Sequence, residues 1–188
     1  MSAKPLKQIL GGRNLYLIGM MGSGKTVTGP PLSKQLGYRF VDIDAVVEKV
    51  TKKSISQIFK EDGEESFRNI ETQVLKEIGQ HYSLVVSTGG GIVLRSENWG
   101  ILHQGIVIWL DPGREKLLAR LQSGLSNRPL LNTSNHVDVF DSIFQERKPL
   151  YKESDLQVFI EDESPEEVAL MIIQNLPSIL KNPEAKDG

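Results

Sequence analysis

Gly19-Met20-Met21-Gly22-Ser23-Gly24-Lys25-Thr26 fits the pattern G-x-x-x-x-G-K-[ST], the phosphate-binding P-loop. Its flanks suit the motif as well as its letters do. Asn14-Leu15-Tyr16-Leu17-Ile18 is a short apolar run of strand type, and Val27 to Leu36 can follow as a helix. In that setting the glycines let the backbone curl until several N–H groups point inward at an anion. The helix N-terminus behind the loop adds partial positive charge. Gly22, Ser23, Gly24, Lys25, Thr26 and Val27 are therefore the candidate nucleotide-binding residues. Lys25 can reach the β- and γ-phosphates, and the Thr26 hydroxyl can ligate Mg²⁺. The bland alternative, a glycine-rich turn that binds nothing, requires the motif and both flanks to agree by accident. The stretch predicts a binder of nucleoside triphosphates and leaves the chemistry to the rest of the chain.

The bulk properties narrow the class. A chain of 188 residues suits one domain with at most a small lid, and can bury its own core without staples. It contains no cysteine, which excludes disulfides, thiolate-bound metals and thiol catalysis. Lys plus Arg number 22 and Asp plus Glu 24, a net charge of −2 that lacks the basic footprint of a nucleic-acid binder. The apolar runs are of strand length and too short to span a bilayer. Met1 to Leu10 lacks the apolar segment of a signal peptide. The three histidines are scattered without metal-ligand spacing.

Outward from the P-loop, the pattern alternates strand and helix. Residues 1–13 read as a leader of uncertain order. Pro30-Pro31 sits inside the first predicted helix, which is expected to kink there or to begin late, because proline removes a donor and clashes with the preceding turn. Arg39 to Asp44 reads as a second strand. On a continuing strand Asp42 and Asp44 share one face and look toward the phosphates; Asp44 could equally N-cap a helix over Ala45 to Val50. Leu84 to Thr88 is a third strand, running into Gly89-Gly90-Gly91, where backbone can approach a ligand closely. Many P-loop enzymes carry a Mg²⁺-site Asp at a strand end. Glycines stand here instead, so Asp42 is the candidate. Ile106 to Leu110 is the fourth strand, and Asp111 is read as a helix cap rather than a ligand. Leu156 to Ile160 is the fifth strand, and Ser164-Pro165-Glu166-Glu167 opens the last helix.

Three features stay ambiguous by spacing alone. Arg68 and Glu71 are at i,i+3 in a predicted helix, which usually gives a solvated surface pair. Arg147, near the end of a helix over Val137 to Tyr151, could simply answer the helix dipole. Ser123 to Asn135 is polar and aperiodic, the composition of a lid that excludes water, with Arg128 placed to stabilise a transferring phosphoryl group.

Read together, these pieces resemble the shikimate kinase family over roughly residues 14–176. The resemblance rests on Gly-Met-Met-Gly-Ser-Gly-Lys-Thr at 19–26, Val-Asp-Ile-Asp at 41–44 and Phe-Arg-Asn-Ile-Glu at 67–71. It rests further on Gly-Gly-Gly at 89–91, Asn-Arg-Pro-Leu-Leu at 127–131 and Arg-Lys-Pro-Leu-Tyr at 147–151. It implies a three-layer α/β P-loop kinase fold with a five-stranded parallel sheet and a mobile lid over about 123–136. One domain then spans 1–188, with its core over about 14–180 and flexible ends at 1–13 and 181–188. It also implies a cytoplasmic monomer that transfers the ATP γ-phosphate to the 3-hydroxyl of shikimate, with Mg²⁺ as cofactor, while the charge balance and short apolar runs point to no nucleic-acid or membrane partner. By position, Asp44, Arg68, Gly90 and Arg147 match shikimate-binding residues, flanked by Gly89 and Gly91 and by the aromatics Phe59 and Phe67. Lys25, Asp44 and Arg128 match the catalytic residues, Thr26 the metal ligand, and Asp42 a metal contact through water. Arg120 and Pro165 match the adenine end of the nucleotide site. One departure stands out: Gly29-Pro30-Pro31-Leu32-Ser33 replaces the Gly-Arg-x-Leu-Ala common in the family. Two rivals remain, a sister kinase for gluconate or a nucleotide, and a degenerate relative that binds nucleotide without turnover. Pro30-Pro31 is the only support for the second.

Overall fold

The computed structural model describes residues 6–122 and 135–180. Five strands form one sheet: β1 (Leu15–Ile18), β2 (Arg39–Asp42), β3 (Leu84–Ser87), β4 (Ile106–Asp111) and β5 (Leu156–Phe159). Their order is β2-β3-β1-β4-β5, and every pairing is parallel. Each crossover therefore carries a helix, and the sheet is covered on both faces. Residues of β1 alternate between the two layers. Tyr16 and Ile18 enter a core with helices α3 (Ile43–Thr51), α5 (Gly63–Gly79), α6 (Ser96–Leu102), α7 (Gly113–Gln122) and α8 (His136–Tyr151). Leu15 and Leu17 enter the other with α1 (Leu6–Leu10), α2 (Lys25–Leu36) and α9 (Pro165–Leu180). Helix α4 (Ile55–Glu61) completes the first layer, opened by a full capping box between Ser54 and Gln57. The three-layer α/β architecture with a five-stranded parallel sheet is as the sequence implies.

Several local expectations are corrected. The supposed leader folds into α1 from Leu6, and Leu10 is fully buried against the second core, because an isolated apolar residue there finds a partner in α9. Helix α2 does not start late. It begins at Lys25 and runs through both prolines to Leu36, with Gly37 as a left-handed cap at φ 64°. Pro30 lies on the exposed flank while Thr28, Gly29, Leu32 and Ser33 face inward, so the prolines cost backbone donors without displacing packing. Strand β2 stops at Asp42, which itself N-caps α3 by accepting from the Ala45 N–H at 3.3 Å. Asp44 is thus in the first turn of α3, neither on the strand nor the cap. Asp111 is the last residue of β4 rather than the cap of α7, which begins at Gly113; its carboxylate is buried, accepting from the Gly113 N–H at 3.1 Å and from Gln157 at 2.8 Å.

The parallel topology places the ends that matter on one edge. The P-loop follows β1, Asp42 ends β2, the glycine triplet follows β3, and residues 160–165 follow β5, all at the carboxyl ends of strands. The segment 123–134, including Arg128, lies outside the described residues. Its flanking helices are tied by a two-point ion pair, Arg114 on α7 to Asp141 on α8, both contacts at 2.6 Å.

Candidate active site

The nucleotide half is built on the turn from β1 into α2. Gly22 and Gly24 take φ 81° and 96°, conformations that curl the loop and that a side chain would resist. Gly24 caps α2 with no side-chain bond, so the N-terminal turn of the helix, with its partial positive charge, borders the loop directly. Lys25 is 8% exposed. Its ammonium donates to the carbonyls of Gly19 at 2.8 Å and Met20 at 2.9 Å and to the Ser23 hydroxyl at 3.3 Å, bracing the loop from within. A cleft of about 410 Å³ extends from Gly22–Thr28 to Arg120, Ile160, Pro165 and Val168. Arg120 reaches back to donate to the Gly22 carbonyl at 3.0 Å. The structure thus brings Gly22, Ser23, Gly24, Lys25, Thr26, Val27, Arg120 and Pro165 to one cleft. Glu163 and Ile160 line it too; they sit in a short loop with no motif and leave no signal in the sequence.

At the edge of this cleft the Thr26 hydroxyl donates to Asp42 at 2.7 Å and lies 3.3 Å from the Ser87 hydroxyl. A hydroxyl, a carboxylate and a second hydroxyl are all-oxygen donors, the set a hard divalent cation prefers. Among the described residues no group of three or more His, Cys, Asp or Glu could hold a metal alone. That suits an ion whose remaining ligands are phosphate oxygens and water. Ser87 carries no motif of its own; the register opposite Asp42 reveals it.

The second half gathers around the glycine triplet. A Cβ on Gly91 would collide with the Arg68 guanidinium, and one on Gly89 with the Glu71 carboxylate, while lying 3.3 Å from Asp44 Oδ1. A Cβ on Gly90 would lie 3.3 Å from the Met21 nitrogen and 3.5 Å from Arg147 Nη1. The triplet is the surface on which Asp44, Arg68, Glu71 and Arg147 converge, next to the P-loop. The Arg68–Glu71 pair is not the surface bridge its spacing suggests. It is 2.8 Å long with side chains 7% and 0% exposed, because α5 turns this face onto the glycines. Glu64 holds the same guanidinium from outside at 3.1 Å. Arg147 is also buried, and its Nε has no partner among the described residues. The rings of Phe59 and Phe67 meet beside Arg68 with centroids 4.9 Å apart.

The electrostatics of this half are strained. Asp44 Oδ1 and Glu71 Oε1 are both buried without a hydrogen bond from the described residues. Burial, followed by the charges of Glu71 and Asp42, pushes the Asp44 carboxyl up to about 6, against the pull of Lys25 and Arg68. Burial likewise pushes Glu71 up, despite Arg68. Among the described residues these buried carboxylate oxygens lack donors and stand beside two guanidinia, so the cluster offers acceptors for hydroxyl groups and donors for an anion. Glu71 and Tyr151 lie within the sequence motifs quoted above but have no role assigned by them. The signal for Glu71 is its place one turn from Arg68 on a face that also buries Phe67.

A nucleotide cleft and a buried anion-and-hydroxyl site meeting at one glycine turn define a P-loop kinase of small molecules. The comparisons with known proteins specify which. The family model "Shikimate kinase" matches residues 21–177. The chain is 58% identical over 184 residues to "Shikimate kinase" of Prochlorococcus marinus strain MIT 9313, covering 98% of this chain and 96% of that protein. It is 60% identical over 179 residues to that of strain MIT 9211, covering 95% and 90%. Among solved structures, a shikimate kinase from Acinetobacter baumannii in complex with shikimate superposes with a TM-score of 0.87 at 35% identity, covering 93% of this chain and 98% of that one. The chain belongs to the shikimate kinase family, and it is an ATP-dependent kinase. Among the described residues no helix is long and apolar enough to cross a membrane.

Proposed function

We propose that this chain transfers the γ-phosphate of ATP to the 3-hydroxyl of shikimate, giving 3-phosphoshikimate, with Mg²⁺ as its metal, as a cytoplasmic monomer. The observation that carries the reading is the convergence of Arg68, Arg147 and Asp44 on the glycine turn beside the P-loop. Two buried guanidinia suit the substrate carboxylate, which they can grip in fork geometry. Asp44 suits a hydroxyl, and bare glycine backbone lets the ring approach. The relative from Acinetobacter baumannii, whose structure holds shikimate, supports the same assignment.

Phosphoryl transfer passes through a loose transition state, so catalysis is mostly positioning and charge stabilisation. The P-loop N–H groups and Lys25 hold the β- and γ-phosphates. Lys25 exchanges its bonds to the Gly19 and Met20 carbonyls for phosphate oxygens. Arg120 and Pro165 hold the base end of the cleft. Thr26 and Asp42 are the residues that would hold Mg²⁺, which would supply neutralising charge to the phosphates. Asp44 accepts a hydrogen bond from the 3-hydroxyl and takes its proton. A carboxyl near 6 is ionised at neutral pH yet more basic than an ordinary Asp. Phe59 and Phe67 wall the acceptor side. Arg128 is assigned to the transferring phosphoryl group by resemblance alone. The only support for a binder without turnover is removed, since α2 is continuous through Pro30-Pro31.

The test is ADP release from ATP and Mg²⁺, with shikimate, gluconate or quinate as acceptor. Turnover that depends on shikimate alone is expected. Turnover with gluconate or quinate instead would overturn the acceptor assignment, and acceptor-independent behaviour would overturn the reading altogether. Size-exclusion chromatography checks the monomer.

A further inference from the structure

We propose that Tyr151 is a positioning residue for phosphoryl transfer, locking the glycine turn and Arg147 into one unit under the acceptor. The inference rests on the function proposed above. Tyr151 is the last residue of α8 and stands one turn beyond Arg147, on the same helix face. It is fully buried, and its ring stacks on Trp109 of β4 with centroids 5.8 Å apart. Its hydroxyl donates to the Gly90 carbonyl at 2.6 Å. The Arg147 guanidinium lies beside the same glycine, 3.5 Å from where a Gly90 Cβ would stand.

One oxygen therefore ties the end of the helix that carries Arg147 to the carbonyl of the turn. Gly90 sits between the two halves of the site, close to Met21 and Gly19 of the P-loop on one side and to Arg147 on the other. The Gly90–Gly91 peptide is planar and trans, so fixing its carbonyl on Tyr151 turns the Gly91 N–H to the opposite side. The phenol thus sets the orientation of the turn and anchors to it the helix that presents Arg147. Burial pushes the phenol up to about 12, so it remains a donor across the working pH range. Among the described residues the hydrogen bond of this oxygen goes to the glycine turn and not to a residue lining the phosphate cleft, so the predicted effect is selective for the acceptor.

Tyr151→Phe removes the oxygen and keeps the ring on Trp109. We expect KM for shikimate to rise about tenfold and kcat to fall several-fold, while KM for ATP stays within twofold. Trp109→Phe loosens the same ring without removing the hydroxyl, and should lower Tm with KM for shikimate within twofold. A purely structural role predicts falling Tm in both variants and no split between the two KM values. Equal shifts in both KM values for Tyr151→Phe, an unchanged KM for shikimate, or an equally large rise in Trp109→Phe would each overturn the proposal. Wild-type protein that ignores shikimate overturns the function reading itself. A shikimate-dependent wild type with a silent Tyr151→Phe overturns only this inference.

Discussion

The cleft over the P-loop is open and made largely of backbone; the cluster around the glycine turn is closed and made of side chains. In the first, eight consecutive residues do most of the work, and their N–H groups need only the right curl. In the second, residues from α3, α5 and α8 meet at the three glycines after β3, and two carboxylate oxygens have no hydrogen-bond partner among the described residues. A backbone cradle can tolerate water because its ligand brings several charges. A site for a small hydroxylated acid instead holds its polar groups buried, at a cost to the free protein that substrate binding offsets.

The largest expected effect would break the first half. Lys25→Met removes the one ammonium in the phosphate loop, and kcat should fall about 10³-fold, the scale seen when charge stabilisation of a phosphoryl or oxyanion group is lost. Steady-state kinetics would check it, and a loss below tenfold would show that backbone alone carries the nucleotide half.

Asp44→Asn probes the second half, and should move activity and stability in opposite directions. Loss of the proton acceptor should lower kcat about 10²–10³-fold. Stability follows from the raised carboxyl. A folded-state value of about 6 against an ordinary 3.8 means that protonated Asp44 stabilises the fold. That contribution is complete below pH 3.8 and is lost as pH rises through about 6. The asparagine should therefore stabilise the free protein by about 1–2 kcal/mol at pH 7.5, an advantage that vanishes at pH 4. Thermal melts at both values test the sign. In the wild type, kcat/KM should decline below about pH 6 as Asp44 takes up its proton.

The same contrast explains what was legible beforehand. The P-loop could be read because its meaning is contiguous. The converging side chains could be placed only through a family pattern, since their own spacing pointed elsewhere. Arg68 and Glu71 carry the signature of an exposed helix pair, and what buries them is a turn beyond the end of their own helix that has no side chains to obstruct them. Asp42 and Asp44 were separable only once β2 stopped one residue short of Ile43, giving Asp42 the cap and Asp44 the inward turn. Leu10 shows the same limit, because a single buried leucine has no periodicity to announce it.

A smaller effect concerns the support beneath the cradle. Helix α2 approaches Phe40 so closely at Gly29 that a Cβ would collide with the ring. Gly29→Ala should destabilise by about 1–3 kcal/mol, the usual cost of overpacking. Differential scanning calorimetry would measure it. A neutral result would show that Phe40, which is only partly buried, swings aside.

The smallest effect comes from the adjacent prolines. Pro30 and Pro31 lack the N–H groups that would close the α2 ladder onto the carbonyls of Thr26 and Val27, in the turn that carries the phosphate cradle. Pro30→Ala with Pro31→Ala restores two donors on the outer flank without touching the core. Each new bond is worth about 0.5–1.5 kcal/mol net. Against this, the prolines restrict the unfolded chain, a benefit of about 0.4–1 kcal/mol each that the alanines forgo. At mid-range the difference favours the double variant by about 0.6 kcal/mol, visible as a small rise in denaturant midpoint at constant slope. KM for ATP should stay within twofold, because the loop glycines and Lys25 set the cradle from inside. A fall in stability would mean that the prolines help the helix by fixing φ more than they harm it by their missing donors. A change in KM for ATP would mean that the two halves of the site differ less than their construction indicates, with the backbone cradle itself depending on side chains behind it.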